Sequence, residues 1–209
     1  MLQNRVDPSG NLIITPARGA WMGNRGVIHD ERQHITRLFR LKAWLICVLE
    51  FKDRRRRVMA PHRYTELFFL DEATAFSAGH RPCAECRRKA FTRFKSCWIL
   101  ANPEHGFTDR TPIWKIDEVL HKERINRSGV KLTHAESAKS LPNGSMVLYA
   151  DQPGLVLDGQ LYPWTPSGYG EGVPLPSGEV RVLTPASVVR AFRMGYVPQM
   201  AVVTLPVPL

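Results

Sequence analysis

The chain has 209 residues, 44% of them hydrophobic and 23% charged, with 29 Lys plus Arg against 19 Asp plus Glu. That is length enough for a substantial core in one domain or two, and the ordinary globular composition excludes a disordered or low-complexity protein. No run of about 18 apolar residues predicts a membrane span. The N-terminus lacks the apolar segment of a secretory signal, and four cysteines, two of them in a chelating motif, argue against a disulfide framework, so a cytoplasmic protein is expected. The formal charge of +10 calls for an anionic partner, of which nucleic acid is the commonest.

Residues 1–42 read as a loop-rich segment, apolar only at Leu12, Ile13 and Ile14 and around Trp21. Gly23-Asn24-Arg25-Gly26, followed by His29-Asp30-Glu31, is a tight turn or a loop able to hold a phosphate or a catalytic His and Asp. Ala43 to Phe51 is dense in β-formers and predicts a buried strand; a turn at 52–55 would return the chain along Arg56 to Met59 as a hairpin. Arg54, Arg55, Arg56 and Arg57 at that tip are expected as a phosphate clamp, since the planar guanidinium fork suits phosphate oxygens. His62 would lie near the hairpin base.

Tyr64 to Leu70 is aromatic-rich. Asp71 has the place of an N-cap for a two-turn helix that ends at Gly79. The chain then enters Ala78-Gly79-His80-Arg81-Pro82-Cys83-Ala84-Glu85-Cys86-Arg87-Arg88. Two thiolates three positions apart can grip one soft cation, which is half a structural zinc site; a redox dithiol would call for a different lead-in. A longer helix from there to about Leu100 would bury Ala90, Phe91, Phe94 and Trp98 and expose Arg87, Arg88, Arg93 and Lys95.

Phe68-Phe69, the Ala-rich helix and the Gly-x-Arg-Pro-Cys-x-x-Cys-Arg run resemble the second half of the metal-binding domain of Ada-type methylated-DNA repair proteins. The likeness covers about residues 58–90. It implies a zinc-held, DNA-associated module. The family's first cysteine pair, which carries its methyl acceptor, has no counterpart here, so methyl transfer is not implied. The expected ligands are His62, Cys83 and Cys86 for Zn2+, with the fourth place open to Cys47, His80, Glu66 or water. A Pro-Cys-x-x-Cys also occurs in nucleobase deaminases, but no His-x-Glu precedes it here.

Beyond a break at 102–106, Trp114 to Asn126 predicts an amphipathic helix with Ile116, Val119, Leu120 and Ile125 inward. Asp117, His121 and Arg124 share a second face, read as a solvated stripe or a catalytic set. Residues 127–140 read as a linker. Short β-runs follow at 145–149, 155–157, 161–164 and 179–183, with an Asp158-Gly159 hairpin turn. Thr184 and Pro185 open a final helix that ends at Gly195.

The expectation is an α+β protein divided as 1–42, a treble-clef-like zinc module at 43–101, a helical connector at 102–140, and a small β-rich unit with one helix at 141–209. It would bind nucleic acid, DNA before RNA, through Arg54 to Arg57, Arg87, Arg88 and Arg93, with zinc structural. The alternatives are a metal-dependent nuclease or other nucleic-acid-processing enzyme, with His29, Asp30, Asp117 and His121 as candidate groups, and an adaptor for an acidic protein.

Overall fold

Aromatic and β-branched residues in the first 82 positions form six short strands, and the computed structural model, which describes residues 1–52 and 57–201, joins them in one mixed sheet. They are β1 (Arg5–Val6), β2 (Leu12–Ile13), β3 (Trp21–Asn24), β4 (Leu45–Cys47), β5 (Leu67–Phe69) and β6 (Arg81–Pro82). Their order is β2-β1-β5-β3-β4-β6. β1 with β5 and β4 with β6 are parallel pairs, and the other neighbours are antiparallel. Gly23 lies in the middle of β3. A Cβ there would meet the Leu45 carbonyl oxygen at 2.1 Å and Phe69 Cε2 at 2.8 Å, so the close approach of β3 to β4 depends on glycine.

Helix α1 (Glu72–Ser77) starts as its sequence predicts: Asp71 Oδ1 accepts the Thr74 N–H at 2.7 Å. Gly79 follows at φ +87°, the left-handed conformation that glycine adopts without strain. Helix α2 (Arg88–Ala101) buries Phe94 and Trp98. Helix α3 (Ile113–Arg124) buries Ile116 and Leu120, as its period predicts, and also Asp117 and Arg124. Seven further strands build a second sheet: β7 (His134–Ser137), β8 (Met146–Tyr149), β9 (Gln152–Leu157), β10 (Gln160–Thr165), β11 (Gly168–Tyr169), β12 (Val173–Pro174) and β13 (Glu179–Val182). All its pairs are antiparallel, in the order β11-β10-β9-β8-β13-β7, with β12 on β10. Asp158 and Gly159, at φ 48° and 74°, make the tight β9–β10 turn. Helix α4 (Ala186–Arg193) packs on α2.

The architecture is α+β, but its units are not divided as the sequence suggested. Val6, Ile46, Phe69, Phe94, Leu120 and Phe192 belong to one buried cluster that draws on every expected segment. At its centre the Phe76 ring meets Phe94 at 5.2 Å and both Phe192 and Tyr196 at 5.3 Å. The boundary at 42 falls between strands of one sheet. The expected linker at 127–140 contains β7, which completes the second sheet. The expected hairpin is also corrected. Val58 and Met59 lie in a turn, and β4 takes its neighbours from β3 and β6, whose longer-range pairing leaves no place for a returning strand. Among the described residues, no helix is long and apolar enough to cross a membrane.

Candidate metal centre

Parallel pairing of β4 with β6 sets Leu45 opposite Arg81 and Ile46 opposite Pro82. One step further along the same register, Cys47 comes beside Cys83, whose N–H donates to the Ile46 carbonyl at 2.9 Å. After Cys83 the chain turns sharply and returns Cys86 to the same point before α2 begins. The three sulfurs lie within 4.8 Å of one another. A tetrahedral zinc–thiolate site needs sulfurs roughly 3.8 Å apart, given Zn–S bonds of ~2.3 Å, so the cluster can close on a metal ion with a small contraction.

The local electrostatics favour thiolate at two of the three sulfurs. Cys47, buried on its strand, gives its proton to hydrogen bonds with Cys83 and Cys86, and those bonds and its burial push its own thiol up. Cys83 is drawn below the usual thiol range first by Cys47 and then by the N–H groups of Cys86 and Glu85, against the effect of burial. The Glu85 N–H lies 3.4 Å from Cys83 Sγ. Cys86 is lowered likewise by Cys47, with a further N–H from Val48. Amides aimed at sulfur stabilise thiolate, the form that binds metal.

All three cysteines line one cleft of about 520 Å³. Its walls include the apolar and aromatic Met22, Phe51, Tyr64 and Phe68 and the carboxylates Glu50, Glu66 and Glu85. Glu66 is buried, and its Oε2 accepts the Met59 N–H at 2.7 Å. A second cleft of about 530 Å³ shares Asn24 and Tyr64 with the first and reaches Arg40 and His62.

No protein-family model, curated protein or solved structure matches the chain. The site is therefore read from its own residues.

Cys83 and Cys86 stand where the motif puts them, but His62 does not join them. Its side chain is 84% exposed, 3.5 Å from Glu31, in a turn that it enters at φ 60°. Cys47, one of the candidates for the fourth place, is the third member of the group. His80 does not join the cysteine group. It is fully buried between Phe69 and Trp44, at 4.7 and 5.1 Å, and its Nε2 accepts from Arg25 Nε at 3.3 Å. Burial, then the Arg25 and Arg124 charges, hold its pKa well below the usual histidine value.

The arginines divide. Arg54, Arg55 and Arg56 lie outside the described residues. Arg57 and Arg88 are exposed. Arg93 is exposed and donates to the Gly195 carbonyl at 2.7 Å. Arg87 is no phosphate contact: it meets Glu72 at 2.6 Å with 8% of its side chain exposed, and stacks 3.9 Å over Trp21. A guanidinium N-terminal to α2 looks solvated in sequence, but the fold brings a buried carboxylate against it.

The other candidate catalytic groups are hydrogen-bonded within the fold, Asp117 and His29 buried and Asp30 and His121 partly exposed. Asp117 receives both Arg81 Nε and Nη2 at 2.7 Å. His121 Nδ1 lies 2.8 Å from Arg124 Nη2. His29 Nδ1 sits 2.5 Å from Thr65 Oγ1, and Asp30 Oδ1 accepts the N–H groups of Arg32 and His34 at 2.9 Å. The face carrying Asp117 and Arg124 is therefore not a solvated stripe, because both residues are buried.

Proposed function

We propose that the chain is a zinc-dependent hydrolytic enzyme acting on nucleic acid or its nucleotide components, with Cys47, Cys83 and Cys86 as the metal ligands. The observation that carries this reading is that all three thiols line a substrate-sized cleft, while no fourth His, Cys, Asp or Glu among the described residues joins the group. Three protein ligands and one open position are the mark of catalytic rather than structural zinc. A zinc ion held there supplies a Lewis-acid position for water or for a substrate oxygen or nitrogen.

The chain's own residues supply the rest. Phe51, Tyr64 and Phe68 offer the flat apolar walls that suit a nucleobase, and the cleft volume is in the range of small-molecule sites. Glu66, buried and fixed by the Met59 amide, is positioned to take and return a proton. Arg40 in the adjoining cleft suits a phosphate, in keeping with the net charge of +10.

The test is metal analysis followed by turnover on a panel of nucleosides, nucleotides and single-stranded oligonucleotides. One zinc per chain is expected, with activity lost on chelation and in Glu66→Gln, which should keep its zinc. Zinc-loaded protein that turns over nothing on the panel overturns the proposal.

A second reading has its own support. The Cys-x-x-Cys knuckle before a helix, opposed by a cysteine on a strand, is treble-clef-like in outline. The likeness of residues 58–90 to the Ada-type module suits a structural zinc in a DNA-binding protein that uses Arg57, Arg88 and Arg93. Cobalt substitution separates the two: added thiocyanate changes the visible spectrum of an open site and leaves that of a closed one unaltered.

A further inference from the structure

Away from the cysteines, three cations converge, two of them buried and the third, Lys131, half-buried. Arg25 and Arg124 are fully buried, and both guanidinium carbons stack on the Trp44 indole, at 3.9 and 3.8 Å. Lys131 reaches in from beyond α3, and its Nζ donates to the Ser77 carbonyl. Arg25 Nη2 donates to Gly10 O at 3.0 Å, Arg124 Nη1 to Gly79 O at 2.9 Å, and Arg124 Nη2 to Lys42 O at 2.7 Å. Carbonyl oxygens satisfy donors without cancelling charge.

The nearby carboxylates do not balance it. Asp117, which attracts Arg124, is already held bidentately by Arg81. Among the described residues, Asp7 is the acid that acts on Arg25 and Lys131, and its two oxygens accept from the Asn11 backbone N–H and side-chain amide at 2.9 Å. Three cations therefore face one acid that is not already paired with another cation, and a buried charge left unneutralised is destabilising.

The same three side chains line a small, partly open cleft of about 40 Å³, with Gly10, Trp44 and Gly129 among its other walls and the exposed Asn11 and Leu38 at its rim. Arg124 Nε is buried and makes no hydrogen bond. At ~10–15 Å³ per water-sized sphere, the space takes one monatomic anion with a water or two and is too small for a phosphate.

We propose that Arg25, Arg124 and Lys131 line a binding site for one small inorganic anion of chloride size. The anion supplies the missing negative charge, accepts from the unpaired donor, and fastens the loop around Gly10 and the segment around Lys131 to the end of α3. It is independent of the cysteine centre and of the activity proposed for it.

The test compares thermal unfolding of the full chain in chloride, bromide and gluconate at constant ionic strength. An anion that binds only the folded state raises the Tm, by about 3 °C or more once its concentration is well above the Kd. Chloride and bromide are expected to give that rise over gluconate, and Lys131→Met is expected to abolish the difference. Crystals grown in bromide should show an anomalous peak among the three side chains. Equal Tm values in all three salts with no bromide peak overturn the proposal and leave an uncharged Lys131 as the source of neutrality; burial already draws its pKa down to about 7. A halide response that survives in Lys131→Met, with no bromide peak, overturns it as well.

Discussion

Ile46 and Cys83 are joined by one parallel-sheet hydrogen bond, 2.9 Å from the Cys83 amide to the Ile46 carbonyl, and that bond sets Cys47 beside the Cys-x-x-Cys knuckle. The third thiol of the candidate metal group is therefore a consequence of strand pairing. Cys47→Ser is expected to lower zinc affinity as much as Cys83→Ser, by more than the ~10–100-fold typical of outer-shell changes. His62→Ala is expected to leave it unchanged. Competition against a chromophoric chelator measures all three.

Gly23 touches no sulfur, yet the pairing of β3 with β4 runs through it. Gly23→Ala puts a methyl 2.1 Å from the Leu45 carbonyl, and backbone must move to admit it. The expected loss is at least about 2 kcal/mol in urea unfolding, within the range of overpacked sites, together with weaker zinc binding.

Arg81 and Asp117 form a bidentate pair with 4% of each side chain exposed. Removing one partner leaves the other charged and buried. Asp117→Ala is expected to destabilise the fold by about 3–5 kcal/mol. Any loss of turnover in this variant should follow the unfolded fraction, as circular dichroism and activity on one sample will show.

Arg87 and Arg88 are neighbours with opposite expectations. Arg87→Ala strips the buried Glu72 of its cation and should cost about 3 kcal/mol of stability, and, if the chain binds nucleic acid as proposed, should leave the salt dependence of that binding unchanged. Arg88→Ala should leave stability unaltered. If Arg88 contacts phosphate, the slope of log affinity against log salt falls by about 1. Denaturant curves and salt titrations on the two variants give the comparison.

His80 contributes to the acid limb of stability. In the unfolded chain it binds a proton below about pH 6.5, whereas burial and the Arg25 charge keep it neutral in the folded one. The unfolded state therefore takes up more protons as pH falls, and stability from this residue declines below pH 6.5 by up to about 1.4 kcal/mol per pH unit. His80→Gln, which keeps an acceptor for Arg25, should flatten that limb. A shallower slope should remain from His121, held at about 4 by burial and Arg124, and from His134, lowered by burial. Urea unfolding at pH 5, 6 and 7 measures it.

Local chemistry made much of the fold legible. The Asp71 cap, the Gly79 stop, the apolar period of α2 and α3, and the Asp158-Gly159 turn each depend on residues within a few positions, and each stands where it was expected. What sequence order concealed was pairing across distance. The run at 43–51 reads as half of a hairpin because the nearest apolar residues lie just beyond Arg57, yet its partners are β3 and β6. The same limit applies to charge: Arg87 and Asp117 resemble surface residues until Glu72 and Arg81 are brought against them. Cys47 left one signal, a thiol at the end of a β-rich run, and only register joins it to the knuckle.

A centre assembled this way places no demand on the number of residues between β4 and β6. Insertions in the intervening chain would leave the chelate intact, whereas sliding one strand by a single position would turn Cys47 to the opposite face of the sheet. Kinship to this protein is thus better sought by asking which cysteine lies across the ladder from a Cys-x-x-Cys turn than by fixing the interval that precedes it.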